Sequence, residues 1–298
     1  MKEISIIICT YNRVQYINTC LNSLLQQSYD LNKFEIIVIN NNSTDNTEII
    51  CKQFQNENPN INFIYKKEIK QGLSYARNTG IEVSTTRLIA FIDDDAIAEK
   101  DYVENLIDGF KNYPTYSAIG GKVLPIYPNG KEPVWMSNYI QRLVSKVDDG
   151  EVFIDFKKKY PVGCNMAFRK EIFSEIGFFN TDLTLRSDDK YIFSKLKNAK
   201  MKTIYAPNVI VWHNIESYRL ELSFIKKLSR LNGHTERVRL KREPFYKTMW
   251  KLIDFKLKLG VSFPIALIFL LKGQKEKGKL LITVMLLSLM GFIYYKEN

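Results

Sequence analysis

Four short apolar runs rich in β-branched residues recur before Asp93: Ile4–Cys9, Phe34–Ile39, Ile61–Tyr65 and Leu88–Ile92. Between the first two, Ile17, Cys20, Leu21, Leu24 and Leu25 fall three and four apart, the spacing of an amphipathic helix. Ser43-Thr44-Asp45 is placed to cap a second helix over Thr47–Phe54, and Gly72–Val83 reads as a third. Strand and helix alternating over such short connections argue for a parallel sheet covered on both faces. In such sheets ligands bind beyond the carboxyl ends of the strands. Three polar loops lie there, Thr10–Arg13, Asn40–Asp45 and Asp93–Asp95, each directly after an apolar strand.

The last of these loops points most directly to chemistry. Three adjacent carboxylates repel one another and cost stability unless a cation neutralises them. Ligands that are all oxygen suit Mg²⁺ or Mn²⁺. A solvated acidic turn is the plain alternative, but the triplet ends a buried strand beside two other polar loops.

The pattern weakens over residues 116–170, where Gly120-Gly121, Pro125, Pro128 and Pro133 read as turns. Strand-like character returns at Pro161–Phe168, a helix is expected to start within Arg169–Ile176, residues 188–198 read as helix and Thr203–Trp212 as strand.

Taken in order, the stretches ISIIICTYNR, INNNSTDNT, GLSYARNTGI, FIDDDAI, GGKVLP, VGCNMAFRKEIFSEIGFFN, SDDKYIFSKL and YAPNVIVWH resemble the family 2 glycosyltransferases over roughly residues 3–215. The resemblance implies the α/β GT-A fold, a Rossmann-like architecture with a mostly parallel central sheet. It also implies an enzyme that moves a sugar from a nucleotide-sugar donor, a UDP-sugar first among them, to a hydroxyl of a glycan or lipid-linked acceptor. Cys9, Thr10 and Tyr11 match the loop that lies against the base. Asn40 stands where the family often has a base-contacting aspartate; an amide both donates and accepts hydrogen bonds, so the identity of the base is left open.

Arg77 matches an arginine near the donor diphosphate or ribose. Asp93 and Asp94 fall on the donor side, and Asp95 on the carboxylate that binds the metal, Mn²⁺ or Mg²⁺. His213 matches a histidine that assists the metal or diphosphate. Asp189 matches the catalytic base that takes the acceptor proton in an inverting, single displacement, and Asp188 stands where glutamate is usual. Asn165 belongs to the wall facing the sugar or acceptor. Trp135 is open between stacking on a sugar ring and packing in a loop core.

Beyond residue 218 the character changes. The chain carries a net charge of +11, and twelve of its lysines and arginines, Arg242 among them, fall within residues 219–258. Leu220–Leu231 reads as a basic amphipathic helix, and residues 245–259 mix lysines with apolar positions. Two apolar blocks follow, Val261–Leu271 and Leu280–Tyr295, both shorter than the ~20 residues of a spanning helix. They suit helices in a bilayer interface or a re-entrant hairpin, with an oligomer interface or a packed helical subdomain as the alternative.

The expected organisation is therefore a catalytic domain over 1–218, donor half about 1–115 and acceptor half about 116–218, and a helical region over 219–298. Four isolated cysteines and no leader-like N-terminal segment suit the cytoplasmic side of a membrane. Oligomeric state is left open. A nucleotidyltransferase and a basic nucleic-acid-binding protein are the rival functions. The first lacks a Gly-rich lysine loop after the first strand. The second sits badly with an acidic triplet in the presumed cleft, so nucleic acid is not an expected partner.

Overall fold

The structure is a computed structural model describing every residue except 157–159, 184–186, 242 and 295–298. Arg242 and Tyr295, both named above, therefore lie outside the described residues. The chain divides into two compact units, one from 1–124, 147–184 and 188–213, the other from 125–146, 185–187 and 214–298.

In the first unit the four N-terminal strands are β1 (Ile4–Thr10), β2 (Phe34–Asn40), β3 (Phe63–Lys67) and β4 (Leu88–Asp93). They pair in the order β3-β2-β1-β4, all parallel. Helices α1 (Ile17–Leu25), α2 (Thr47–Glu57) and α3 (Leu73–Val83) connect or follow them. The strands are nearly continuous apolar runs because they are covered on both faces. Two separate apolar clusters show this, with Ile4, Ile6 and Ile8 in one and Ile7, Ile37 and Ile39 in the other. Gly80 in α3 lets that helix settle on β1, since a Cβ there would lie 2.5 Å from a methyl of Ile7.

The remaining strands make the nine-stranded sheet mixed, confining the expected parallel character to its first part. They are β5 (Ala96–Ala98), β6 (Tyr116–Ile126), β7 (Ile154–Asp155), β8 (Asn165–Arg169) and β9 (Lys202–Asn214). β8 runs antiparallel to β4 and to β6, and β5 and β7 run antiparallel to β9. Helices α4 (Tyr102–Asn112), α5 (Ile172–Ile176) and α6 (Asp188–Asn198) complete this unit.

Two local expectations are corrected here. Gly120-Gly121 is no turn but the middle of β6. A Cβ on Gly121 would lie 2.1 Å from the Val209 carbonyl oxygen, and one on Gly120 2.4 Å from Pro161. These glycines serve close approach rather than chain reversal. Pro125, also expected in a turn, lies near the end of the same strand. Arg169 ends β8, and the helix starts at Ile172, within the expected stretch.

The second unit is helical: α7 (Leu222–Arg239), α8 (Phe245–Leu271) and α9 (Lys275–Ile293). The two segments separated above at residue 260 join in the single helix α8, which runs on through Pro264. α9 packs against both α7 and α8. Among the described residues no helix is long and apolar enough to cross a membrane.

Candidate active site

The site forms where β1, β2 and β4 end, because their turns must reverse direction with polar residues. Hydrogen bonds from backbone amides to side chains join the first two turns to each other. Asn12, at φ +52°, accepts through its side-chain oxygen from the Thr44 amide at 2.8 Å. The Asn12 amide donates to the Ser43 hydroxyl at 3.0 Å, and the Val14 amide to Asp45 at 3.2 Å. Asp45 also accepts from the Thr47 amide at 3.0 Å, which anchors the start of α2. Register places Cys9 directly beside Asp93 on the neighbouring strand. Burial raises the Cys9 thiol well above its ordinary value, so the thiol stays protonated. Tyr11, next in the loop, is exposed, and Thr10 is buried.

The acidic triplet is poorly compensated. Burial and the other carboxylates push the Asp94 carboxyl up to about 8, and Asp93 is raised for the same reasons. Guanidinium groups border it: Arg13 lies 3.9 Å from Asp94 and from Asp95, and Arg77 3.8 Å from Asp93. The strand pairing that puts His213 opposite Ala96 brings its imidazole to the triplet. His213 Nε2 is 3.1 Å from Asp95 Oδ1, with both side chains almost wholly buried. One potential ligand atom each from Asp93, Asp95 and His213 lies within 4.8 Å of the other two.

A second acidic pair opens α6. Asp188 is bonded to the Arg77 guanidinium, which also donates to the Gly163 carbonyl at 3.3 Å. Arg77 is 3% exposed and lies over the rings of Phe91 and Phe179. A Cβ on residue 163 would stand 2.5 Å from its Nη2, so glycine leaves the guanidinium its place. Asp189 accepts from the Lys190 amide at 2.7 Å. Its carboxyl is raised, first by burial and then by Asp188 beside it. A raised carboxyl is a better proton acceptor than an ordinary aspartate.

Three of the expected site residues sit elsewhere or are otherwise engaged. Asn40 is fully buried, donating to the Tyr65 hydroxyl at 2.8 Å and accepting from the Ser43 amide at 2.9 Å. Asn165 is 1% exposed, and its amide joins strands by donating to the carbonyls of Lys122 and Val209. Trp135 belongs to the other unit, where it packs against an apolar cluster around Met136 and Ile225.

Residues that sequence reasoning passed over are Asn41 and Gly72. The Asn41 side chain donates to the carbonyls of Glu68 and Lys70 and accepts from the Gly72 amide at 2.8 Å. Gly72, at φ +139°, makes the turn into α3. In the sequence Gly72 read only as the first residue of the third helix, and Asn41 only as standing where a second aspartate could be.

Comparison with known proteins shows a family and a fold. A sequence model described as "Glycosyl transferase family 2" matches residues 5–177. The chain is 26% identical over 248 residues to the glucosyl-dolichyl phosphate glucuronosyltransferase of Haloferax volcanii, covering 79% of this chain and 77% of that one. Its fold is similar to that of the mannosyltransferase PcManGT from Pyrobaculum calidifontis in complex with GDP-Man and Mn²⁺. That likeness has a TM-score of 0.64 at 18% identity over 99% of this chain and 88% of the other. It is also similar to S. aureus TarS 1-349 in complex with UDP-GlcNAc, at TM-score 0.56 and 17% identity over 81% and 68% of the two chains. Of the longer TarS structure the chain spans 41%.

Proposed function

Because the chain belongs to glycosyl transferase family 2, and is a glycosyltransferase, we propose that it moves a sugar with inversion from a nucleoside diphosphate donor to a hydroxyl of a glycan or lipid-linked acceptor. The observation that carries this reading is the convergence of Asp93, Asp95 and His213 at the carboxyl end of the parallel strands. Two carboxylates and one imidazole, with Asp95 and His213 buried and Asp93 at the edge, suit a divalent ion. Mg²⁺ favours oxygen ligands alone, whereas Mn²⁺ accepts an imidazole more readily, so the set favours Mn²⁺. Bound there, such an ion would neutralise charge on the departing diphosphate.

The chain's own residues have distinct parts in this reading. Asp93 and Asp94, with Cys9, Thr10 and Tyr11, line the donor's approach, and a UDP-sugar is the first donor to try. Asn40 and Asn41 act by holding the loops that border the base, since their amides are already bonded within the protein. Arg77 holds Asp188 and so fixes the start of α6. Asp189 then receives the proton of the attacking hydroxyl, its raised carboxyl being suited to that transfer. Residues 1–218 carry this chemistry, the donor half about 1–115 and the acceptor half about 116–218. Residues 219–298 associate with the cytoplasmic face of a membrane, where a lipid-linked acceptor would reside.

The test is a donor panel. Purified protein is incubated with Mn²⁺ and each nucleotide sugar, and release of nucleoside diphosphate is measured beside Asp95→Ala. Turnover of one donor, lost in the variant, is expected. Neither turnover nor metal-dependent binding of any donor would overturn the reading.

A further inference from the structure

The helical unit has a buried apolar cluster around Ile225, Leu280 and Leu281, and a further apolar face turned outward. Small residues are buried on α7 and α9 beside that cluster: Ser229, Gly233 and Ser288. A Cβ on Gly233 would lie 2.0 Å from the Ser288 carbonyl oxygen, and one on Gly291 2.0 Å from that of Arg230. Between α8 and α9, Gly278 abuts Ala266 in the same way. On α8, Thr248 and Ser262 are buried together with Phe255.

The opposite side of α8 is exposed and large. Tyr246, Trp250, Ile253, Leu257, Val261 and Ile268 recur three, four and seven apart along it, each more than 40% exposed. Its last thirteen residues, Leu259–Leu271, hold no charged side chain. A helix apolar on all sides is covered by protein or by lipid, and close contact through small residues is how helices pack where lipid surrounds them.

We infer that this outward face of α8 docks on an anionic lipid bilayer, lying in the plane of the interface. The inference deepens the membrane reading proposed above and rests on it only for its purpose, not for its geometry. Charge complementarity selects the occupant. Lys226, Lys227 and Arg230 line a groove of about 530 Å³ with Ser223, Thr283 and Leu287. Among the described residues none of these three cations has a carboxylate within ion-pair distance.

The turn between α8 and α9 selects the orientation. It carries Lys272, Lys275, Glu276, Lys277 and Lys279, charges that a plunging hairpin would carry into hydrocarbon. An in-plane helix keeps them in water while its apolar side enters the acyl boundary. At 1.5 Å per residue α8 is ~40 Å long, enough to hold the unit flat.

Flotation of the full chain with vesicles tests this. One set is phosphatidylcholine alone and the other phosphatidylcholine mixed with phosphatidylglycerol. Binding to the mixed vesicles is expected, falling at least tenfold on phosphatidylcholine alone. At least a tenfold loss is also expected in the combined variant Trp250→Glu, Leu257→Glu, Ile268→Glu. These positions are exposed, so circular dichroism and donor turnover without vesicles should stay unchanged. Turnover failing while flotation holds would count against the transferase reading alone.

Three results would overturn the inference. The first is flotation with neither vesicle set. The second is binding to the mixed vesicles that survives the triple variant and vanishes only at high salt, leaving general charge attraction. The third is a wild-type dimer that the same variant dissolves, without binding to vesicles, making a second copy the occupant.

Discussion

The two ends of the parallel strands treat buried carboxylates in opposite ways. At the amino end, Glu35 on β2 is fully buried and receives four hydrogen bonds. They come from Lys2 Nζ at 2.5 Å, the Ser5 hydroxyl at 2.6 Å, the Thr85 hydroxyl at 2.7 Å and the Thr85 amide at 2.8 Å. Although burial alone would raise it, these partners hold the Glu35 carboxyl below its ordinary value. At the carboxyl end, Asp93 and Asp94 are raised by burial and by one another, with the nearest guanidinium groups almost 4 Å away. A carboxylate given four donors stabilises the fold, whereas carboxylates crowded against one another raise each other and favour a ligand that brings positive charge. The contrast separates an architectural acid from a candidate functional one without any appeal to relatives.

The comparison can be broken in several ways. The largest effect is expected from Asp95→Ala, which should lower nucleoside diphosphate release ~10³-fold or more. Its thermal unfolding without metal should stay near that of the wild type, because a repelling charge has been removed. A variant that unfolds instead would make Asp95 architectural like Glu35.

Next, Asp189→Asn should lower the rate ~10²- to 10⁴-fold while donor binding, read by calorimetry, persists. The same residue sets a pH dependence. A base must be ionised, and this carboxyl is raised above 3.8. Activity should therefore fall as pH drops through that raised value, with the acid limb above that of an ordinary aspartate. A wild-type acid limb at the ordinary aspartate position would count against this assignment.

Stability should show the reverse preference. Glu35→Gln should cost about 2 kcal/mol in denaturant unfolding and leave turnover intact. Because its native carboxyl is lowered below 4.5, the Glu35 contribution is complete above that pH and is lost as pH falls through the native value. Gly163→Ala, which crowds Arg77, should cost ~1–3 kcal/mol. The smallest expected effect is a rise of about 2 degrees in Tm on adding Mn²⁺ at ~5 times its Kd, about 1 kcal/mol of linkage. It should be absent in Asp95→Ala, and an equal rise in both would place the ion elsewhere.

The sequence alone determined the elements around the site. Period and chain-reversal signals are local, so the four parallel strands, the helices between them and the polar loops at their ends were legible. Asp93–Asp95 was visible because it interrupts an apolar run. Tertiary structure alone decided which distant groups meet. The pairing of β5 with β9 sets His213 beside Asp95, and the placement of α3 against α6 sets Arg77 on Asp188. It also turned Asn40 and Asn165 inward to hold loops and strands, and placed Gly120-Gly121 inside a strand. Strand register and helix docking depend on packing summed over the whole unit, and no local stretch of sequence encodes that sum.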